Sequence, residues 1–340
     1  MRDVARIAGV STMTVSRVLA HPEVVAEATR GRVHDAIDQL SYVPDLIASS
    51  LSSKKSGFIA AIVPTLNNVN FAETARGLTE ALSTAGFQLL IGYTDYQIEE
   101  EEALVRTMLA RRPEGIVLTG GHHTDATRQL LLAADIPVVE TWDLPSQPLD
   151  HAVGFSNVAV GRAMTTRLIE QGYRRIAFLG PPSDEPGFRD FRGEERLQGY
   201  LDAMRQAGLP TDLALRDGQG PVSFPHGADC LTHLLERHVD VDAIFAVSDL
   251  SAVGAVMECH RRGINVPDDL GIAGFGDFEI AAQIVPSLTT VHVNCTEIGR
   301  RAGKLLLDLL GRSGPNTSLD HETIDLGFDL IERQSTKCRP

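Results

Sequence analysis

Residues Asp3 to Leu19 read D-V-A-R-I-A-G-V-S-T-M-T-V-S-R-V-L, a spacing that admits few arrangements: two short helices folded against each other through Gly9-Val10-Ser11. Val4, Ile7 and Ala8 fall on one helical face, Gly9 permits the sharp turn, and Ser11 can cap a second helix whose buried face is Val15, Val18 and Leu19. The opposite face of that second helix carries Thr12, Met13, Thr14, Ser16 and Arg17. Hydroxyls and a helix N-terminus suit phosphate oxygens, Arg17 can bridge guanine O6 and N7, and Met13 can touch a thymine methyl. Val33, Ile37 and Leu40 predict a third helix that closes a small core. The pattern fits a helix-turn-helix laid in a major groove. By spacing alone it also fits any small amphipathic helical hairpin with an exposed polar face.

The stretch from Asp45 to Ser53, followed by Lys54-Lys55-Ser56-Gly57, is serine-rich and weakly apolar, with Ile47 and Leu51 four apart. Alone it is a poor helix, since nothing supplies a buried face. A solvated linker and a segment that folds only on DNA, with leucines wedged into the minor groove, fit it equally.

Net charge bears directly on DNA. The chain carries −14, but residues 1 to 56 hold seven bases against six acids, a balance of +1, and the rest holds twenty-four against thirty-nine, or −15. The acidic part repels a duplex and confines contact to the head, which is itself too weakly basic to bind nonspecifically with strength. No apolar N-terminal region and no run of about 18 apolar residues occurs, so neither a signal peptide nor a membrane span is expected. Cys230, Cys259, Cys295 and Cys338 are scattered without metal-ligand spacing, as isolated thiols in a reducing, cytoplasmic compartment would be.

From Gly57 onward strands and helices alternate. The candidate strands are Phe58 to Val63, Gln88 to Thr94, Gly115 to Thr119, Pro137 to Thr141, Ala152 to Phe155, Arg175 to Leu179, Ala243 to Val247 and Gly271 to Phe275. Between them lie helical stretches such as Phe71 to Ala85, Glu99 to Arg111, Val158 to Gln171, Glu194 to Ala207 and Leu250 to Arg262. Short apolar strands separated by amphipathic helices imply α/β architecture, with parallel sheets covered on both faces and ligands beyond the strands' C-terminal ends. The strand count fits about two five- or six-strand units. The loop after the first strand, Thr65 to Phe71, is rich in amides and ends in an aromatic. That suits a polyol, whose hydroxyls bond amides while a ring packs on its carbon face, though its asparagines fit a helix-capping turn equally well.

These motifs together resemble the lactose repressor and galactose repressor family of bacterial transcription regulators over almost the whole chain. The resemblance rests on D-V-A-R-I-A-G-V-S-x-x-T-V-S-R-V-L, Y-V-P-D-x-x-A-x-x-L, V-G-F-S-N with M-T-T-R-L-I-E-Q-G-Y-R-R-I-A-F-L-G, R-L-Q-G-Y, V-S-D-L-S-A-V-G-A and V-P-D-D-L-G-I-A-G-F-G-D. It implies a helix-turn-helix head at 1–44, a hinge helix or linker at 45–56, and an effector-binding part at 57–340. The last is expected as two flavodoxin-like lobes, 57–157 with 291–319 and 158–290 with 320–340, the chain crossing near Asn157, Val291 and Leu319.

By the same resemblance Thr12 and Met13 read bases, Arg17 contacts a base, and Ala48 with Leu51 enter the minor groove. Ser11, Thr14, Ser16, Thr29 and Tyr42 would contact the DNA backbone. The family usually has asparagine where Asp45 stands and often a basic residue at Leu46, departures that disfavour a phosphate contact there. It also has several residues before the first helix where this chain begins Met1-Arg2-Asp3, so a late start or a shortened chain is expected.

In the cleft, Asn70 and Phe71 come from the amide loop, and Arg196 matches the family's effector-clamping arginine, whose fork of donors suits vicinal hydroxyls or a carboxylate. Asp249 matches an effector residue, Ser248 stands where asparagine is common, and Gly276 replaces an aspartate that many neutral-sugar binders use, beside a retained Asp277. With Arg189, Arg192 and Arg196 close in sequence, that loss of an acid favours a sugar acid over a neutral sugar. The run P-V-V-E-T-W-D, together with V-G-F-S-N and M-T-T, is most similar to the gluconate-utilisation repressor branch.

Other chemistries find little support. Gly120-Gly121-His122-His123 could suggest a metal, but adjacent histidines point different ways and the sequence fixes no carboxylate partner, so a pocket rim or solvated loop is expected. No phosphate-binding loop, nucleophile elbow or complete dinucleotide fingerprint occurs, and no convergent catalytic set is found. The run Glu99 to Glu102 is read as helix capping and solubility. No enzyme activity, cofactor or metal is therefore expected. The expectation is a homodimer that binds palindromic operator DNA and is released by a small sugar acid. The alternatives are an effector that is a neutral sugar or nucleoside, and a solute-binding protein without regulatory DNA binding.

Overall fold

Gly9, at φ 64° and ψ 39°, ends the first helix in the left-handed region, where a side chain would be strained. The computed structural model describes residues 1–43, 56–180, 187–216, 221–237, 240–311 and 321–339. These fall into two compact units, Met1–Ser56 and Gly57–Pro340. The expected hinge contacts Ala48 and Leu51, with Asp45 and Leu46, lie outside the described residues.

In the first unit α1 (Arg2–Ala8), α2 (Thr12–Ala20) and α3 (Glu27–Leu40) surround a core of Val4, Ala5, Ala8, Val15, Val18, Val33 and Ala36. Ser11 caps α2 as the sequence predicts, its Oγ accepting from the Thr14 N–H at 3.1 Å. Two expected core residues are corrected: Ile7 is 38% exposed and Leu40 37%. Ala5 and Ala36 stand in the core instead, and Leu40 is the last residue of α3.

The second unit holds two parallel sheets. The first lobe's six strands run in the order β11-β5-β4-β3-β1-β2: β1 Phe58–Val63, β2 Gln88–Tyr93, β3 Ile116–Thr119, β4 Val138–Thr141, β5 His151–Gly154 and β11 Thr323–Asp325. The second lobe's four run β7-β6-β8-β9: β6 Ile176–Leu179, β7 Ala214–Leu215, β8 Ala243–Ala246 and β9 Gly271–Ala273. A two-stranded antiparallel ribbon, β10 Thr290–His292 with β12 Asp329–Ile331, completes the set. The helices are α4 Val69–Ser83, α5 Ile98–Leu109, α6 Asp125–Ala134, α7 Asn157–Glu170, α8 Phe191–Gln206, α9 Phe224–Glu236, α10 Asp249–Arg262, α11 Glu279–Gln283 and α12 Cys295–Gly311. Among the described residues, no helix is long and apolar enough to cross a membrane.

Several boundaries move for a local reason. Helix α8 starts at Phe191 rather than near Glu194 because Asp190 caps it, its carboxylate accepting from the Gly193 N–H at 3.1 Å. Leu319 lies outside the described residues, but β11 still pairs in parallel with β5, so the last crossing falls after Asp325 and not near Leu319. The pairing satisfies what would otherwise be the open edge of β5: Ala152 N–H donates to Glu322 O, and Leu326 N–H to Gly154 O.

Each lobe carries a helix pair in backbone contact. A Cβ at Gly77 on α4 would lie 2.0 Å from Thr296 O on α12, and one at Gly161 on α7 would lie 2.0 Å from Arg196 O on α8. Gly161→Ala should therefore force α7 and α8 apart and lower the urea midpoint by about 1–3 kcal/mol of stability. An unchanged midpoint would show that the pair tolerates separation.

Candidate functional site

Alternating burial along α2 divides it into a core face and an open one. Thr12, Met13, Ser16 and Arg17 are exposed, Met13 at 70%, while Thr14 is half-buried. The Ser11 and Thr14 hydroxyls lie 2.9 Å apart and hydrogen-bond to each other. Thr29 is half-buried near the start of α3, and half-buried Tyr42 packs on the head's core. The exposed set is compact, since four of its members lie within two turns of one helix.

In the second unit a cavity of about 310 Å³ lies where the C-terminal ends of β1, β4, β8 and β9 meet the start of α8. Asn70, Phe71, Arg196 and Ser248 line it together with Thr65, Tyr96, Trp142, Asp190, Arg192 and Phe275. The sequence singled out the first four. It missed most of the others, although Trp142 is the chain's lone tryptophan and Arg192 had been noted for its charge.

Asn68 caps α4, its Oδ1 accepting from the Asn70 N–H at 3.0 Å, and Asn70 reaches across to donate to Gly276 O at 3.1 Å. Gly276 makes that approach possible: at φ 125° a Cβ would sit 3.0 Å from Asn70 Nδ2 and 2.7 Å from the Phe278 ring. Thr74 Oγ1 donates to Asn70 O at 2.9 Å and accepts from Trp142 Nε1 at 3.0 Å. Asn157 Nδ2 donates to Trp142 O at 3.0 Å, and Asn157 Oδ1 accepts from Arg196 Nη1 at 2.6 Å. One line of hydrogen bonds thus runs from α8 through the first lobe and back to the loop after β9.

Arg196 is 6% exposed, and its guanidinium lies 4.2 Å over the Phe275 ring with Asp190 Oδ2 at 3.8 Å. Burial pulls its pKa below the ordinary arginine value, opposed by the Asp190 charge. Its Nε has no hydrogen-bond partner among the described residues. Arg192 donates from Nη1 to Thr119 O at 3.1 Å, and its Nη2 lies 3.9 Å from Asp190 Oδ1. Two guanidiniums therefore face one carboxylate in the cavity wall, a local excess of one positive charge.

The remaining expected residues stand aside. Asp249 is fully buried beneath the cavity, accepting from Thr290 Oγ1 at 2.5 Å and Phe278 N–H at 2.9 Å. Burial pushes its carboxyl up to about 7 despite those donors. Asp277 faces Arg333, whose Nη2 donates at 2.7 Å, and His292 at 3.1 Å. Arg189 lies over the Phe191 ring and pairs with Glu194, outside the lining. Ser248, by contrast, lines the cavity while it caps α10, its Oγ accepting from the Leu250 N–H.

The paired histidines correct another expectation. They do point different ways, but the His123 side chain is fully buried, with Glu101 Oε1 at 2.7 Å on Nδ1 and Glu140 Oε1 at 3.1 Å on Nε2. Glu101 is thus a buried partner, not a solubilising acid of the Glu99 to Glu102 run. Burial opposes the imidazolium, and the two carboxylates overcome that and raise His123 to about 9. A folded-state value above the unfolded one of about 6.5 gives stability present at low pH and lost as pH rises through about 9. His123→Ala leaves two acids facing an empty space, an expected loss of about 3–5 kcal/mol near neutrality. Urea unfolding measured on both sides of that window should show the loss shrink at high pH; equal losses at both would contradict a charged His123.

A model of the lacI family of bacterial regulatory proteins matches residues 1–45, and a periplasmic binding protein-like domain matches residues 165–336. The HTH-type transcriptional regulator GntR of Escherichia coli (strain K12) is 36% identical over 332 residues, covering 97% of this chain and 96% of the relative. A LacI-family transcriptional regulator from Silicibacter pomeroyi superposes with a TM-score of 0.88 at 34% identity, over 99% of this chain and 98% of that one. The transcription regulator GntR from Chromobacterium violaceum gives 0.74 at 38% identity, over 82% and 99%.

Proposed function

Because the chain belongs to the lacI family of bacterial regulatory proteins, and is a DNA-binding transcription regulator of that family, we propose that it is a repressor released from its operator by a sugar acid such as gluconate. The observation that carries the effector class is the charge of the cavity: Arg192 and Arg196 against Asp190 alone, with the acids Asp249 and Asp277 both engaged elsewhere. An anionic head gains from that excess, and the amides of Asn67 and Asn68 in the wall supply partners for hydroxyls. The unpartnered Arg196 Nε offers a further donor. A neutral hexose would leave this charge unanswered.

On the DNA side, a homodimer sets two heads on the halves of a palindromic operator, and Thr12, Met13 and Arg17 read base edges from the open face of α2. Ser11, Thr14, Ser16, Thr29 and Tyr42 serve the phosphates, and the −15 of the remainder keeps the duplex at the heads. Effector selects one arrangement of the lobes and operator another, so each weakens the other by the same factor. A protein working this way acts in the cytoplasm, with no chemistry performed on its ligand.

Two measurements test the reading. Titration calorimetry should give heat with gluconate or a related aldonate and none with a neutral hexose or nucleoside; the reverse pattern would sink the sugar-acid assignment. Arg17→Ala should weaken operator binding by about 1–3 kcal/mol and leave effector heat intact. Arg196→Ala should do the opposite, costing about 1.5–3 kcal/mol of effector affinity. Parallel loss of both in both variants would signify unfolding and not separate sites.

A further inference from the structure

Beside the cavity, outside its lining, a ring nitrogen of His122, a carboxylate oxygen of Asp143 and one of Glu195 all lie within 4.8 Å of one another. We propose that these three side chains form a binding site for a divalent first-row transition-metal ion, a clasp from the first lobe to the second. His122 follows β3 and Asp143 follows β4, while Glu195 stands on α8. One imidazole nitrogen and two carboxylate oxygens form the borderline ligand set that zinc, cobalt or manganese takes, in preference to magnesium or calcium.

The arrangement is more than a gathering of surface acids. The Asp143 side chain is 7% exposed, and its Oδ1 accepts the Leu144 N–H at 2.8 Å. Oδ2 has no N–H donor among the described residues; it points to His122 Nδ1, 3.9 Å away. The half-buried Glu195 brings a carboxylate oxygen within 4.8 Å of one on Asp143. Two carboxylates this close, one of them buried, need a cation or a proton between them. The imidazole is held in place, stacked on Phe191 at 4.4 Å and 4°.

The nearby cations are largely committed. Arg192 is tied to Thr119 O and Asp190, Arg189 to Glu194 and the Phe191 ring, and His123 to its two glutamates. Exposure of His122 leaves the remaining coordination position to water.

The test uses the full chain stripped with a chelator. Calorimetric titration with ZnCl2 should show a single stoichiometric event, Co²⁺ should give visible d–d absorption, and MgCl2 should give neither. Glu195→Gln and His122→Ala, each nearly volume-neutral or on the surface, should weaken zinc binding by at least about tenfold, as should Asp143→Asn if it folds. The thermal midpoint should rise with zinc excess in the parent and not in these variants. Absence of zinc heat in the parent, or equal affinity in every variant, would overturn the proposal. So would a Glu195 carbon resonance that titrates near neutrality and ignores zinc, the signature of two carboxyls that share only a proton.

Discussion

The buried guanidinium of Arg196 is the constraint around which the second unit is organised. Taking such a charge out of water costs several kcal/mol, and the contacts that offset it come from both lobes: Asn157 at 2.6 Å, the Phe275 face at 4.2 Å and Asp190 at 3.8 Å. Asn157 can hold Arg196 only while its own amide is oriented by Trp142 O, and Trp142 in turn is fixed by Thr74. A side chain on α8 thereby dictates how α4 and the loop after β4 are placed. The same helix must also approach α7 closely enough that Gly161 meets the Arg196 carbonyl, so packing and polarity impose one geometry.

What the sequence made legible follows from how local the determining forces are. The head's helices and the cap at Ser11 depend on residues a few positions apart, and they stand where spacing put them. Strands β1, β3, β6 and β8 are nearly continuous apolar runs buried on both faces, a signal that needs no partner to be seen. The short strands β7, β10, β11 and β12 are two or three residues long and exist through pairing alone, which is why β11 escaped and the last crossing was set too early. In the head Ala5 is buried and Ile7 exposed, so hydrophobicity alone picked the wrong one of two neighbouring positions.

The candidate site was legible in part for the same reason. Arg196, Asn70 and Phe71 announce themselves by residue type at strand or helix ends, and each lines the cavity. Asp249 and Asp277 look equally suited in the sequence, yet Thr290, Phe278 N–H, Arg333 and His292 take up their oxygens from elements more than a dozen residues away. His123 was misjudged on the same ground: Glu101 and Glu140 are 22 and 17 positions distant. A polar side chain's availability is a tertiary property, because it depends on which donors the fold has already brought to it.

That distinction also governs the sign of the field a ligand meets. The second unit is strongly acidic as a whole, and a count of charges would give a surface that rejects anions. Within the cavity the ordering reverses: Asp249 and Asp277 are turned into framework bonds, and Asp190 divides itself between a helix cap and two arginines. The two guanidiniums keep their charge because their partners are mainly neutral oxygens, Thr119 O and Asn157 Oδ1. Asp143 after β4 and Glu195 on α8 meet the opposite circumstance, with two carboxylates within 4.8 Å and the neighbouring cations occupied. One helix thus presents an excess of positive charge along the face toward the cavity and an excess of negative charge beside it. Both follow from where internal hydrogen bonds have been spent, since a charge acts on a ligand only to the extent that the fold has left it unmatched.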